Sequence, residues 1–146
     1  MEAYHHGAHS VFSIHLHIVW ITKYRKPVLV GDIALKVREI LRQICAAHSV
    51  EIMRGHIARD HIHIFVSIPP QVTISRFVQK MKGKSSHMLL HTFPSLRRLY
   101  WGRHFWARGY FCCSSGNVTD EIIKQYIAQQ DHDEDTFKIE NEGESI

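Results

Sequence analysis

From Phe12 to Trp20 an apolar residue stands at every second position, so Phe12, Ile14, Leu16, Ile18 and Trp20 share one face of an extended chain. Ser13, His15 and His17 fall on the other face. This period of two is the period of a strand with one covered and one open side. It returns in "HIHIFVSIP", where Ile62, Ile64, Val66 and Ile68 alternate with His61, His63, Phe65 and Ser67. "SVEIMRGHIA" supplies a strand before it, across a short turn at Arg59 and Asp60, and Pro69-Pro70 ends the run.

Between these strands the period becomes helical. "GDIALKVREILRQICAAH" has apolar residues at 33, 37, 40, 41 and 44 behind an Asp32 cap. Thr73 caps a second helix, "ISRFVQKMKGKSSHMLL", with Ile74, Phe77, Val78 and Met81 as its stripe and Gly83 as a bend. A fourth strand is expected between Phe105 and Cys113. After the loop "SSGN", Thr119 opens a last helix, "DEIIKQYIAQQ", with Asp120 and Glu121 in its first turn, where the helix dipole favours them. The order strand, helix, strand, strand, helix, strand, helix predicts an α+β fold. It is a ferredoxin-like antiparallel sheet with helices on one face. His61 and His63 then point to the uncovered face.

The length of 146 residues suits one domain, expected over residues 1 to 131, followed by an acidic and mobile tail at 132–146. From Asp131 onward there are seven acids and one lysine. Residues 1–130 hold seven acids against seventeen Lys and Arg, so a body of +10 carries a tail of −6. A basic body suits a polyanion such as nucleic acid, although a solvated surface would look the same in composition. No apolar run approaches the roughly 20 residues of a membrane span, and a cytoplasmic location is the expectation. Cys45, Cys112 and Cys113 have no metal-like spacing and are expected to be reduced packing residues.

An HxH on a strand sets two imidazoles on one side, about 7 Å apart at the backbone, close enough to converge on one ion. The chain offers two, His15/His17 and His61/His63, and either alone could be a strand that is merely rich in histidine. Tyr126 and Gln130 stand four apart on the last helix and share a face, which by itself could be an interfacial phenol beside a solvated amide. Together the pieces suggest a common purpose. Two neutral imidazoles and an amide oxygen leave open positions that suit Mg2+ or Mn2+ bound jointly with a phosphate, and a tyrosine placed in line could attack it.

Five blocks in chain order, "HIVWITKYRKPV", "RDHIHIFVSIPP", "FVQKMKGKSS", "YWGRHFWARGYF" and "IIKQYIAQQ", resemble the motifs of the single-tyrosine HUH transposases of the insertion sequence 200/605 family. The resemblance covers roughly residues 10 to 131. It implies a ferredoxin-like or RRM-like fold whose C-terminal helix carries the nucleophile. It also implies a homodimer, with active sites in cis or in trans, that cuts and rejoins single-stranded DNA at hairpin-marked element ends. In these terms His61 and His63 match the metal-binding pair, Gln130 the third ligand of a divalent ion, Mg2+ or Mn2+, and Tyr126 the residue that forms a 5′-phosphotyrosine. His15 and His17 fall in a first-strand motif with no metal role.

Candidate DNA contacts are Lys23, Tyr24, Arg25 and Lys26 after the first strand, and Lys80, Lys82, Lys84 and Ser85 on the second helix. Tyr24, Trp101 and Phe105 are candidates for base stacking. The alternatives are a related HUH nickase, such as a replication initiator, relaxase or repeat-associated tyrosine transposase, a metal-dependent hydrolase, or a non-catalytic RNA- or single-stranded-DNA-binding module.

Overall fold

The structure, a computed structural model, describes residues 5–6, 11–12, 14–114, 122, 125–126 and 128. A two-residue hairpin, β1 (His5–His6) with β2 (Val11–Phe12), precedes β3 (His15–Ile21). Then follow α1 (Gly31–Ala47), β4 (Glu51–Ile57), β5 (His61–Ser67), α2 (Ile74–Thr92), α3 (Pro94–Leu99) and β6 (Phe111–Ser114). Four strands form one sheet in the order β4-β5-β3-β6, with every neighbouring pair antiparallel. β3, α1 and β4 make a crossover that leaves room for β5 between its strands, and α2 carries the chain to β6 on the far edge. This is the ferredoxin-like arrangement expected from the periodicities.

The core is built from the alternation itself. Leu16, Ile18 and Trp20 of β3 and Ile62, Ile64 and Val66 of β5 meet Val37, Ile40, Leu41 and Ile44 of α1 and Phe77, Val78, Met81 and Leu89 of α2. Each such side chain contributes roughly 1.5–3 kcal/mol of burial, so a one-residue slip of β3 against β5 would forfeit much of the core. The register is therefore specified, and it sets Val19 opposite His63 and Ile21 opposite His61 on the other face.

Several local expectations are corrected. Asp32 lies inside the first turn of α1 and makes no capping bond. The chain enters the helix through Gly31 at φ 56°, a left-handed angle that glycine adopts without Cβ strain. Thr73 does stand at the N-cap of α2, but its hydroxyl makes no capping bond. α2 is continuous through Gly83, from Ile74 to Thr92. The last strand is shorter than expected and begins at Phe111. Before it, contact with the sheet is one bridge between Thr22 and Trp106. The carbonyls of Ala107 and Gly109 accept from the Lys82 ammonium at 2.7 and 2.8 Å and face α2, which interrupts the ladder.

The 105–110 segment is also pinned from inside. Trp106 Nε1 donates to Ser85 Oγ at 2.8 Å, and that hydroxyl donates to the Met81 carbonyl at 2.6 Å. Trp106 meets Trp20 edge-on, with ring centres 5.9 Å apart. Ser85→Ala leaves the buried indole N–H without its acceptor. The expected cost is about 1–3 kcal/mol, read as a lower urea midpoint, with DNA affinity unchanged.

Candidate active site

The site grows from a buried carboxylate. Asp60, 1% exposed, closes the turn between β4 and β5. Its Oδ1 lies 2.8 Å from His61 Nδ1, and its Oδ2 accepts from Arg25 Nε at 2.9 Å. Arg25 reaches it because Tyr24 and Arg25 take left-handed angles, φ 60° and 50°, in the turn after β3. Thr22 secures that turn: its N–H donates to the Asp60 carbonyl at 2.9 Å and its hydroxyl to the Lys26 carbonyl at 2.9 Å. With the carboxylate as acceptor, His61 keeps its proton on Nδ1 and presents the Nε2 lone pair. That is how metal-binding histidines are oriented.

His63 is held differently. Its Nε2 lies 3.0 Å from Nδ1 of His17. Burial, then the neighbouring charges of His17, His61, His56 and Arg54, push the His63 pKa down to about 4. Burial, then Arg54, lowers that of His17. Both rings are therefore neutral at pH 7, one nitrogen donating and the other accepting. The "HLH" of β3 is thus not separate from the "HIH" of β5. His17 also stacks on Phe65 at 4.5 Å, and His15 on the same ring at 5.7 Å.

Tyr126 packs against Val19, Ile21, Ala107 and Phe111, its ring centre 5.6 Å from that of Phe111. Val19 and Ile21 are the register partners of His63 and His61, so the phenol lies on the histidine side of the sheet. Burial pushes its pKa up to about 12, and its buried hydroxyl has no hydrogen-bond partner among the described residues. Gln130 lies outside the described residues, as do the "SSGN" loop beyond Ser114 and the tail. Among the described residues no three His, Cys, Asp or Glu side chains close around a metal-sized space. His61 and His63 remain two nitrogen donors to which a third ligand would have to be added.

A family profile described as "Transposase IS200 like" matches residues 10–130. The chain belongs to the IS200-like transposases. As a transposase it is a DNA strand transferase. It is 33% identical over 129 residues to the ISDra2 transposase TnpA of Deinococcus radiodurans, covering 88% of this chain and 91% of that protein. It is 38% identical over 123 residues to the transposase for insertion sequence element IS200 of Salmonella typhimurium, covering 84% and 80%. A crystal structure of a transposase from Deinococcus radiodurans R1 superposes with a TM-score of 0.80 at 32% identity, over 86% of this chain and 97% of that one. A REP-associated tyrosine transposase bound to a REP hairpin shares the fold, with a TM-score of 0.54 at 11% identity, over 86% and 67%. No described helix of this transposase is long and apolar enough to cross a membrane.

The expected DNA contacts of the transposase separate into two groups. Tyr24 is exposed and has Lys23 Nζ 4.9 Å and Lys26 Nζ 5.8 Å from its ring centre. Lys80 and Lys84 are exposed on α2. Arg25 and Ser85, by contrast, are buried and committed to Asp60 and Trp106, which removes them from the phosphate-contacting set. The Lys82 ammonium serves the carbonyls of Ala107 and Gly109. Phe105 is fully buried between Tyr100 and Trp106, so it does not stack on bases. The three cysteines are unbridged, and Cys45 is buried with its thiol pushed up to about 12.

Sequence reasoning read Asp60 only as a turn residue and set His17 aside. The acid directly before the first histidine of "DHIH" was the available signal for Asp60. Nothing local signals the partnership of His17 with His63, because 46 residues separate them.

His63 binds a proton less readily when folded than at its ordinary value of 6.5. Its contribution to stability is therefore complete above that value and is lost as pH falls towards about 4. In EDTA, the urea midpoint should fall between pH 7 and pH 5, and His63→Gln should show a smaller fall.

Proposed function

We propose that this transposase cleaves and rejoins single-stranded DNA at hairpin-marked element ends, with Tyr126 as nucleophile and a divalent ion, Mg2+ or Mn2+, held by His61, His63 and Gln130. The observation that carries this reading is the seat of Tyr126 on Val19 and Ile21, the strand residues registered with the histidine pair. Hairpin ends are supported by the related fold solved on a REP hairpin.

The residues present fit such an ion. His61 is oriented through Asp60, and His63 is neutral well below pH 7. The bound ion would polarise the scissile phosphodiester and help orient it. The chain's own groups supply the rest. At rest the apolar shelf keeps Tyr126 as a neutral phenol, so attack requires the hydroxyl to leave that shelf and give up its proton. Its oxygen bonds to phosphorus while the bond to the 3′ oxygen breaks, which leaves a 5′-phosphotyrosine and a free 3′-OH. A 3′-OH then attacks the phosphotyrosine, restores the DNA linkage and returns the phenol. The linkage conserves the bond energy, and no nucleotide is consumed.

The acting species is a homodimer. Mixed dimers of Tyr126→Phe and His63→Ala subunits test the placement of the tyrosine: restored cleavage means that it serves the partner's histidines.

With labelled single-stranded DNA carrying a hairpin and Mg2+ or Mn2+, wild type should give a denaturant-resistant protein–DNA band that Tyr126→Phe lacks. No band across a pool of hairpins, with binding intact, would sink the covalent mechanism. His61→Ala and His63→Ala should each abolish cleavage while retaining most DNA affinity, because phosphate contacts elsewhere supply most of it. Asp60→Asn should weaken Mn2+ binding about 10- to 100-fold by calorimetry, through loss of the acceptor that orients His61.

A further inference from the structure

Away from the histidine face, α2 and the segment from α3 to β6 enclose a trough of about 800 Å3. Among its described lining residues there are five Lys and Arg, three His and no Asp or Glu. A second concavity, of about 490 Å3, lies across α2 and is lined by Arg76, Lys80 and Lys84 with no acid. The two share Gln79, Gly83 and His87, so they form one cationic path over the helix. Arg76, Lys80 and Lys84 recur every fourth residue, about 6 Å per step along α2. Neither they nor Arg97, Arg103 and Arg108 of the opposite wall have an ion-pair partner among the described residues.

Two lining residues and one neighbour of the wall, Trp101, which lines neither concavity but precedes the lining Gly102, bear on this path. Gly83 is its saddle, and a Cβ placed there meets nothing within 4 Å, so the crest is open. Trp101 stands 87% exposed in the turn between Arg97 and Arg103, at φ 59°, a strained angle for a side chain of that size. At the inner end of the trough, Ala107 belongs both to its wall and to the shelf of Tyr126.

We propose that this path is a track for the single-stranded DNA that leads away from the scissile phosphate, with Trp101 as a stacking platform for one of its bases. The choice of DNA rests on the transposase reading. The choice of a single strand rests on the pairing of a cationic groove with a displayed aromatic ring, because unpaired bases offer their faces for stacking and paired ones do not. The cations hold the backbone without regard to sequence, and the meeting point at Ala107 delivers the strand to the tyrosine.

The test is binding in EDTA, where cutting plays no part, with a labelled oligothymidine of about 20 nucleotides and a blunt duplex of equal length. Gly83→Glu puts an acid on the saddle and should weaken oligothymidine binding about tenfold or more and flatten its salt dependence. Gly83→Ala should melt higher, since alanine favours the helix and its Cβ has room, which shows that the position accepts a side chain without loss of fold. Arg97→Glu with Arg103→Glu, on an exposed turn, should reproduce the loss independently of α2. Oligothymidine should also quench the emission of Trp101, the exposed indole beside the buried Trp20 and Trp106, and Trp101→Leu should remove that quenching.

Unchanged affinity in Gly83→Glu and in the double arginine variant, or emission that oligothymidine leaves unaltered, overturns the track. A loss confined to the duplex would assign the path to paired DNA and overturn the single-strand reading. The covalent band on hairpin DNA is scored separately, so failure of that chemistry and failure of this surface are distinguishable.

Discussion

The histidine face of the sheet depends on how one buried carboxylate is satisfied. Asp60 is buried, where an unpaired charge would cost several kcal/mol, and its two oxygens are taken by Arg25 and His61. These partners come from two places in the chain, the turn after β3 and the start of β5. Satisfying Asp60 therefore ties the end of one central strand to the beginning of the next. The Thr22 N–H bonded to the Asp60 carbonyl closes the same corner through the backbone. The corner that makes the charge tolerable also orients the first histidine of the pair.

The central sheet serves two purposes through a period of two. On one side Leu16, Ile18, Trp20, Ile62, Ile64 and Val66 form the core under the helices. On the other, the same strands hold His17, His61 and His63 together with a small apolar shelf, Val19 and Ile21, on which Tyr126 rests. Burial has opposite consequences for the two kinds of group there. It lowers the pKa of His63, which keeps a lone pair available, and raises that of Tyr126, which keeps the phenol protonated at rest.

Strand alternation and helical stripes were legible because each is a local consequence of burying one side of an element, and the ferredoxin-like order followed from them. The histidine pair was legible for the same reason, since a strand must put both rings on one side. The short-range details were less so. Asp32 and Thr73 looked like caps by type, but Asp32 falls inside the helix and Thr73, although it stands at the N-cap, makes no side-chain bond there. Gly83 does not break α2, and Phe77, Val78, Met81 and Leu89 pack into the core on both sides of it. Arg25, Ser85 and Phe105 looked available for DNA, and each is consumed by a partner far away in sequence or by the core.

What the sequence alone determined was the order of the main elements from β3 to β6, the face on which His15, His17, His61 and His63 lie, and the resemblance that singled out His61, His63 and Tyr126. Those rest on periodicity and on motifs, both of which are local. Only the tertiary structure decided that His17 shares a proton with His63, that Asp60 and Arg25 position His61, and that Lys82 holds the chain before β6. Only the tertiary structure joined the cations of α2 to those beyond α3 in one path. Those pairings depend on strand register and helix placement. Distances between residues 20 to 50 positions apart exist only once the core has closed.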